Sequence, residues 1–182
     1  MLETARSILN EIDRVLTGVD QDEVYAFVRT ILAADTTFVH GLGREGLVMR
    51  GFAMRLMHLG LPTAVVGDMT TPPVDKGDLF LVSCGPGYLS TVDALTTVAL
   101  DAGATVAMIT SQPEAALPQC ADLRLTLPAQ TMAEQEGSTS QQAMGSVFEQ
   151  AMWILLDSIV PILQAWRGQH NDDLRRRHTN LE

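Results

Sequence analysis

Apolar positions along the chain follow two alternating rhythms, one helical and one extended. Residues 2–17 place Leu2, Ala5, Ile8 or Leu9, Ile12, Val15 and Leu16 on one face, with Glu3, Arg6, Glu11 and Arg14 opposite. That spacing predicts an amphipathic helix stopped at Gly18. Asp20 is placed to cap a second helix, with Glu23 three residues on and Val24, Phe27, Val28, Ile31 and Leu32 as its stripe. A β-branched and aromatic run, Thr36–His40, then reads as a strand. Glycines at 41, 43 and 46 follow, and a helical pattern runs from about Leu47 to Leu59. Leu61–Val66 reads as a second strand, and Leu79–Ser83 as one buried on both faces. Ser90 and Asp93 make a capping-box pattern opening a helix to about Ala102. Thr105–Ile109 and Asp122–Leu127 read as strands around a short helix, Pro113–Gln119. A polar stretch, Gln130–Gly145, precedes a long helix, Ser146–Trp166, and a short terminal helix and tail, Asn171–Glu182. Strands alternating with helices predict an α/β fold whose parallel sheet is covered on both faces.

Length and charge narrow the classes. At 182 residues, 46% hydrophobic and 19% charged, the chain reads as one globular domain. It divides into N-terminal helices (1–34), an α/β core (36–166) and a tail (171–182). A formal net charge of −10 argues against nucleic acid and anionic membrane surfaces as partners. Cys84 and Cys120 have no metal-binding spacing. The greasiest segment, Ala151–Leu163, is broken by Asp157, Ser158 and Pro161, so a soluble, cytoplasmic protein is expected. Met49, Met54 and Met57 are expected to pack in the core. The N-terminal helices, tail and long apolar helix offer more greasy surface than one sandwich needs, which predicts a homo-oligomer.

The candidate chemistry sits where strands end. A strand, a glycine turn and a buried helix let backbone approach a ligand and aim free N–H groups at an anion. Gly41-Leu42-Gly43-Arg44-Glu45-Gly46 fits the dinucleotide fingerprint, with Asp68 as the ribose acid. Two helices before the strand and a second glycine turn, Cys84-Gly85-Pro86-Gly87, speak against it. The glycines could serve tight packing alone. Two strands ending in such turns favour a phosphate role instead. Asp68 is then expected to cap a turn, and Arg50 and Arg55 to form salt bridges, while His40 faces the presumed site.

Specific blocks go further. Gly43–Val48, Phe52–Gly60, Val65–Asp68, Lys76–Leu79, Ala121-Asp122, Met144–Glu149 and the ending His178–Glu182 resemble the sugar-isomerase (SIS) domain family, above all its 6-phospho-3-hexuloisomerase branch. The resemblance implies a three-layer α/β/α sandwich with a five-stranded, flavodoxin-like parallel sheet and a homotetramer or dimer. It implies a sugar phosphate as ligand, with neither metal nor cofactor. It assigns Glu149 as the base, His178 as a proton shuttle and His58 as a further catalytic histidine, and Gly43, Arg44, Ser83, Gly87, Ser90 and Thr91 to phosphate. Two loops depart from the family pattern: Glu45 stands where a serine is usual, and Pro86, Tyr88 and Leu89 replace residues of the second loop. Glu45 either opposes phosphate or points outward. Ser146-Val147-Phe148-Glu149 is also a capping-box sequence, so Glu149 could merely hold its helix start. Likewise His58 could be a satisfied core histidine. Two functions follow: a ketose–ketose phosphosugar isomerase, or a non-catalytic sugar-phosphate-binding or regulatory domain.

Overall fold

The computed structural model describes residues 1–132 and 140–181; residues 133–139 of the polar stretch and Glu182 of the tail lie outside the described residues. Two helices, α1 (Leu2–Thr17) and α2 (Gln21–Ala33), come first. The core then runs β1 (Thr37–His40), α3 (Gly43–His58), β2 (Thr63–Val65), β3 (Leu79–Ser83), α4 (Ser90–Asp101), β4 (Thr105–Thr110), α5 (Ala116–Gln119) and β5 (Leu123–Thr126). It closes with α6 (Ser146–Trp166) and α7 (Asn171–Arg176). The five strands are all parallel, in the order β2-β1-β3-β4-β5.

Alternation along the strands builds two cores. Leu79, Leu81, Ala107 and Ile109 point to the larger one, shared with α1, α2, α3 and α6. Phe80, Val82, Val106 and Met108 point to the smaller one, under α4 and α5. The result is the α/β/α sandwich. Full burial of a side chain such as Leu56 or Leu81 contributes about 1.5–3 kcal/mol, so the central strands and α3 carry much of the stability. α6 is long and apolar enough to cross a membrane by composition. Nine of its residues, Phe148 and Leu163 among them, are instead buried in the core.

Several local expectations need correcting. α3 starts at Gly43, not near Leu47, because the glycine turn is only two residues long. Asp20 does cap α2, but Glu23 reaches across to β5 and accepts from Thr126 N at 2.7 Å. At α4 the cap position is Leu89, so Ser90 is the first helical residue and no Ser90–Asp93 capping box forms. α5 is one turn, shorter than the predicted 113–119. Met49 is buried as expected, whereas Met54 and Met57 are exposed on the outer side of α3. The ion pairs of Arg50 with Asp68 and Arg55 with Asp157 both form.

Candidate active site

With this strand order the chain reverses direction between β1 and β3, and parallel sheets take ligands at the carboxyl ends beside such a reversal. Three helices deliver residues there: α3 after β1, α4 after β3, and α6. Gly46 explains how tightly α3 sits on the strand exit. A Cβ at Gly46 would lie 2.4 Å from Gly41 O, so only glycine permits this approach. The first turn of α3 thereby presents Arg44 and Glu45 to the crevice.

Glu45 points inward. Its Oε2 accepts from Ser83 Oγ at 2.5 Å and from Gly85 N at 3.1 Å. Burial pushes the Glu45 carboxyl above its ordinary range, the two donors partly offset this, and the charge of Glu149 pushes it further up. Ser83, assigned above to phosphate, is fully buried and spends its hydroxyl on Glu45. Burial and the charge of Glu45 push the thiol of Cys84 beside it up to about 12.

Glu149 does not cap its helix. The cap position of α6 is Gly145, and Ser146 turns its hydroxyl to Ala143 O at 2.8 Å. The Glu149 carboxylate instead accepts from Arg44 Nε, joining α6 to α3. Only 14% of the Glu149 side chain is exposed, against 65% for Arg44, so the carboxylate is enclosed and its partner faces solvent. Beside the pair opens a cavity of about 290 Å³, lined by Arg44, Leu47, Val48, Glu149, Gln150 and Trp153. Gln150 and Trp153 were not foreseen. Gln150 Oε1 is a buried acceptor without a partner among the described residues.

The second loop offers fewer amides than its glycines suggest. Gly85 N is held by Glu45, Pro86 has no N–H, and Gly87 N is bonded to Cys84 O at 3.0 Å. Gly87 N is thus taken up by the turn. The first amides open to an anion are those entering α4, where Ser90 and Thr91 are exposed. Gly43, exposed at the start of α3, has open space above it.

The histidines lie elsewhere. His58 ends α3, and the following chain enters β2 at the edge where Thr37 pairs with Thr63. At about 1.5 Å per residue, α3 separates His58 from Arg44 by roughly 20 Å. His178 stacks on His58 at 5.1 Å, and Arg177 Nη1 donates to His58 O at 3.0 Å. Within one chain, neither histidine meets Glu149. His40 lies against Phe80, its pKa lowered by burial and by the charge of Arg50. Asp68 is paired with Arg50 at 2.9 Å, both side chains being about half exposed.

Comparison with known proteins identifies the family. Residues 30–153 match the SIS domain. A 3-hexulose-6-phosphate isomerase from Mycobacterium gastri is 37% identical over 175 residues, covering 96% of this chain and 88% of the relative. Another from Bacillus subtilis is 32% identical over 181 residues, covering 99% and 98%. A solved structure from Methanococcus jannaschii, for which a 3-hexulose-6-phosphate isomerase function has been inferred, superposes with a TM-score of 0.85 at 28% identity, covering 99% of both chains. Sheet order, crevice and matched sequence together make this chain a member of the SIS domain family.

Proposed function

We propose that the chain is a 3-hexulose-6-phosphate isomerase, interconverting a 3-ketose and a 2-ketose hexose phosphate. The observation that carries it is Glu149: an enclosed carboxylate at the carboxyl edge of the sheet, engaged by Arg44 and not by its own helix start. Moving the carbonyl requires a base to take the proton from C2, forming a cis-enediol across C2 and C3. As C2 loses its proton O3 gains one, which completes the enediol. A proton, exchangeable with solvent while the enediol persists, is then delivered to C3, and the O2 hydroxyl gives up its own to become the new carbonyl, replacing the one taken up at O3. Nothing is oxidised or reduced overall. Glu149 takes and returns the carbon-bound proton, and Arg44 holds the carboxylate in place. The phosphate is received by the amides and hydroxyls of Ser90 and Thr91 at the start of α4.

In this reading His58 and His178 serve the proton transfers at the sugar oxygens from a second copy of the chain. They sit at the far edge of the sheet, whereas Leu47, Met54, Met57, Trp153 and Ile154 form an exposed apolar face on α3 and α6 suited to self-association. The dimeric or tetrameric assembly and a cytoplasmic setting belong to the same proposal.

One observation favours the non-catalytic alternative. Ser83 Oγ and Gly85 N, two donors of the second loop, are consumed by Glu45. A turnover assay separates the readings: purified protein with hexulose 6-phosphate, fructose 6-phosphate formation being followed by a coupled dehydrogenase. Steady turnover is expected. Binding of the sugar phosphate without turnover would establish the regulatory reading instead.

A further inference from the structure

The second loop is built around an acid of the protein itself. Glu45 Oε2 takes both the Ser83 hydroxyl and the Gly85 amide, the donors nearest the exit of β3. The loop is fitted to this arrangement. A Cβ at Gly85 would lie 2.9 Å from Glu45 Oε1 and 2.9 Å from Phe148 Cε1, so the carboxyl and the phenyl ring fill the space a side chain would take. The Gly85 peptide is held from its other end too, because Gly85 O accepts from Ser111 N at 3.1 Å and Ser111 Oγ at 3.0 Å. Neither Ser83, which is fully buried, nor Gly85 can turn toward an incoming anion without breaking these bonds. The donors of this loop are therefore already taken by a carboxyl of the protein itself.

From this we infer that Glu45 is a specificity-determining residue that acts as a resident competitor of phosphate, so that a phosphorylated sugar binds together with one proton on Glu45. The inference rests on the isomerase reading for its substrate class and goes beyond it in making substrate capture proton-coupled. The surroundings of Glu45 are consistent. From α6, Glu149 repels its charge; from the exit of β3, the Cys84 thiol is neutral; and Arg44 on its own helix is committed to Glu149. Among the described residues, none of these groups is a cation free to let Glu45 stay ionised beside a phosphate dianion. Burial already raises its pKa, and an adjacent dianion raises it further. The sign follows: affinity is greatest where Glu45 is protonated and falls as pH rises through its pKa.

The test uses glucitol 6-phosphate, which has no carbonyl and cannot be turned over, titrated calorimetrically into the wild type, Glu45→Gln and Glu45→Ser. Measurements run upward from about pH 7, where the phosphomonoester is already largely a dianion. For the wild type, Kd is expected to rise by up to about tenfold per pH unit, the limit for one coupled proton. Both variants should show a flat profile and bind at least about tenfold tighter at the top of the range, as expected when one unit-charge repulsion is removed. Tight binding by the variants with none by the wild type would also support the inference, and would count against the isomerase reading. Equal affinity and slope in all three proteins would overturn it, as would absence of binding in all three. Wild-type turnover of hexulose 6-phosphate, measured separately, shows whether the isomerase reading survives that outcome.

Discussion

The two ends of α3 make an instructive contrast. Its first turn places Arg44 and Glu45 at the carboxyl edge of the sheet, among Ser83, Gly85 and Glu149. Its last residue, His58, lies at the amino edge, buried under His178 and held by Arg177. The first end is rich in acids with opposing demands: Glu149 is bound to a cation, and Glu45 to neutral donors that leave its carboxyl raised. The second end holds the two stacked histidines, His58 and His178. One helix length keeps the two sets apart, so the proposed reaction has Glu149 and the histidines meet a substrate across copies of the chain.

The largest expected effect breaks the carboxyl edge. Glu149→Gln keeps the side chain's size but cannot accept a proton, so turnover should fall by about 10² or more with melting temperature little changed. Because no capping bond is lost, Glu149→Ala should also leave stability nearly intact; a drop in melting without loss of turnover would restore the capping role. A smaller effect probes the amino edge. His178→Ala should lower turnover by a smaller factor than Glu149→Gln. Mixing this variant with Glu149→Gln under conditions that allow exchange of copies should give more activity than the two variants contribute separately. Failure to recover would place both groups in one chain's site, or the histidines outside catalysis.

The smallest effect concerns how the carboxyl edge is approached. Glu11 of α1 accepts from Ser140 Oγ at 2.7 Å, Gln141 N at 3.0 Å and Gln142 Nε2 at 3.2 Å, anchoring the segment that leads into α6. The Gln141 amide and the Ser140 hydroxyl hold its pKa below the ordinary carboxylate range. Glu11→Ala should destabilise the fold by about 1–2 kcal/mol near neutrality. A lowered folded pKa makes the contribution fully present above the unfolded value and lost as pH falls through the folded one. Denaturant unfolding of wild type and variant should therefore converge in acid; a gap independent of pH would contradict the ionic role.

Much of this was legible in the sequence, and the failures have physical causes. The continuous apolar run Leu79–Ser83 could only be a strand covered on both faces, and it is. Two glycine turns after strands pointed to the correct edge of the sheet. Capping was misread at Ser90, and the box weighed as an alternative at Ser146 does not form, because serine followed by an acid three residues on does not specify which residue leaves helical geometry. Ser83 was assigned to the ligand because its competitor, Glu45, is remote in the chain and meets it only through folding. Gln150 and Trp153 followed a residue already suspected, yet only the packing of α6 on α3 turns them toward a cavity. The separation of His58 from Glu149 was within reach: a helix from residue 43 to 58 sends its two ends to opposite edges.

Carbon-bound hydrogen exchange in heavy water tests the central claim most directly, because it reports the enediol whatever the position of the net equilibrium. Fructose 6-phosphate incubated with the wild type should gain deuterium at C3, and Glu149→Gln should slow that gain by about 10² or more. A sugar phosphate that binds the wild type yet exchanges no hydrogen would contradict the account.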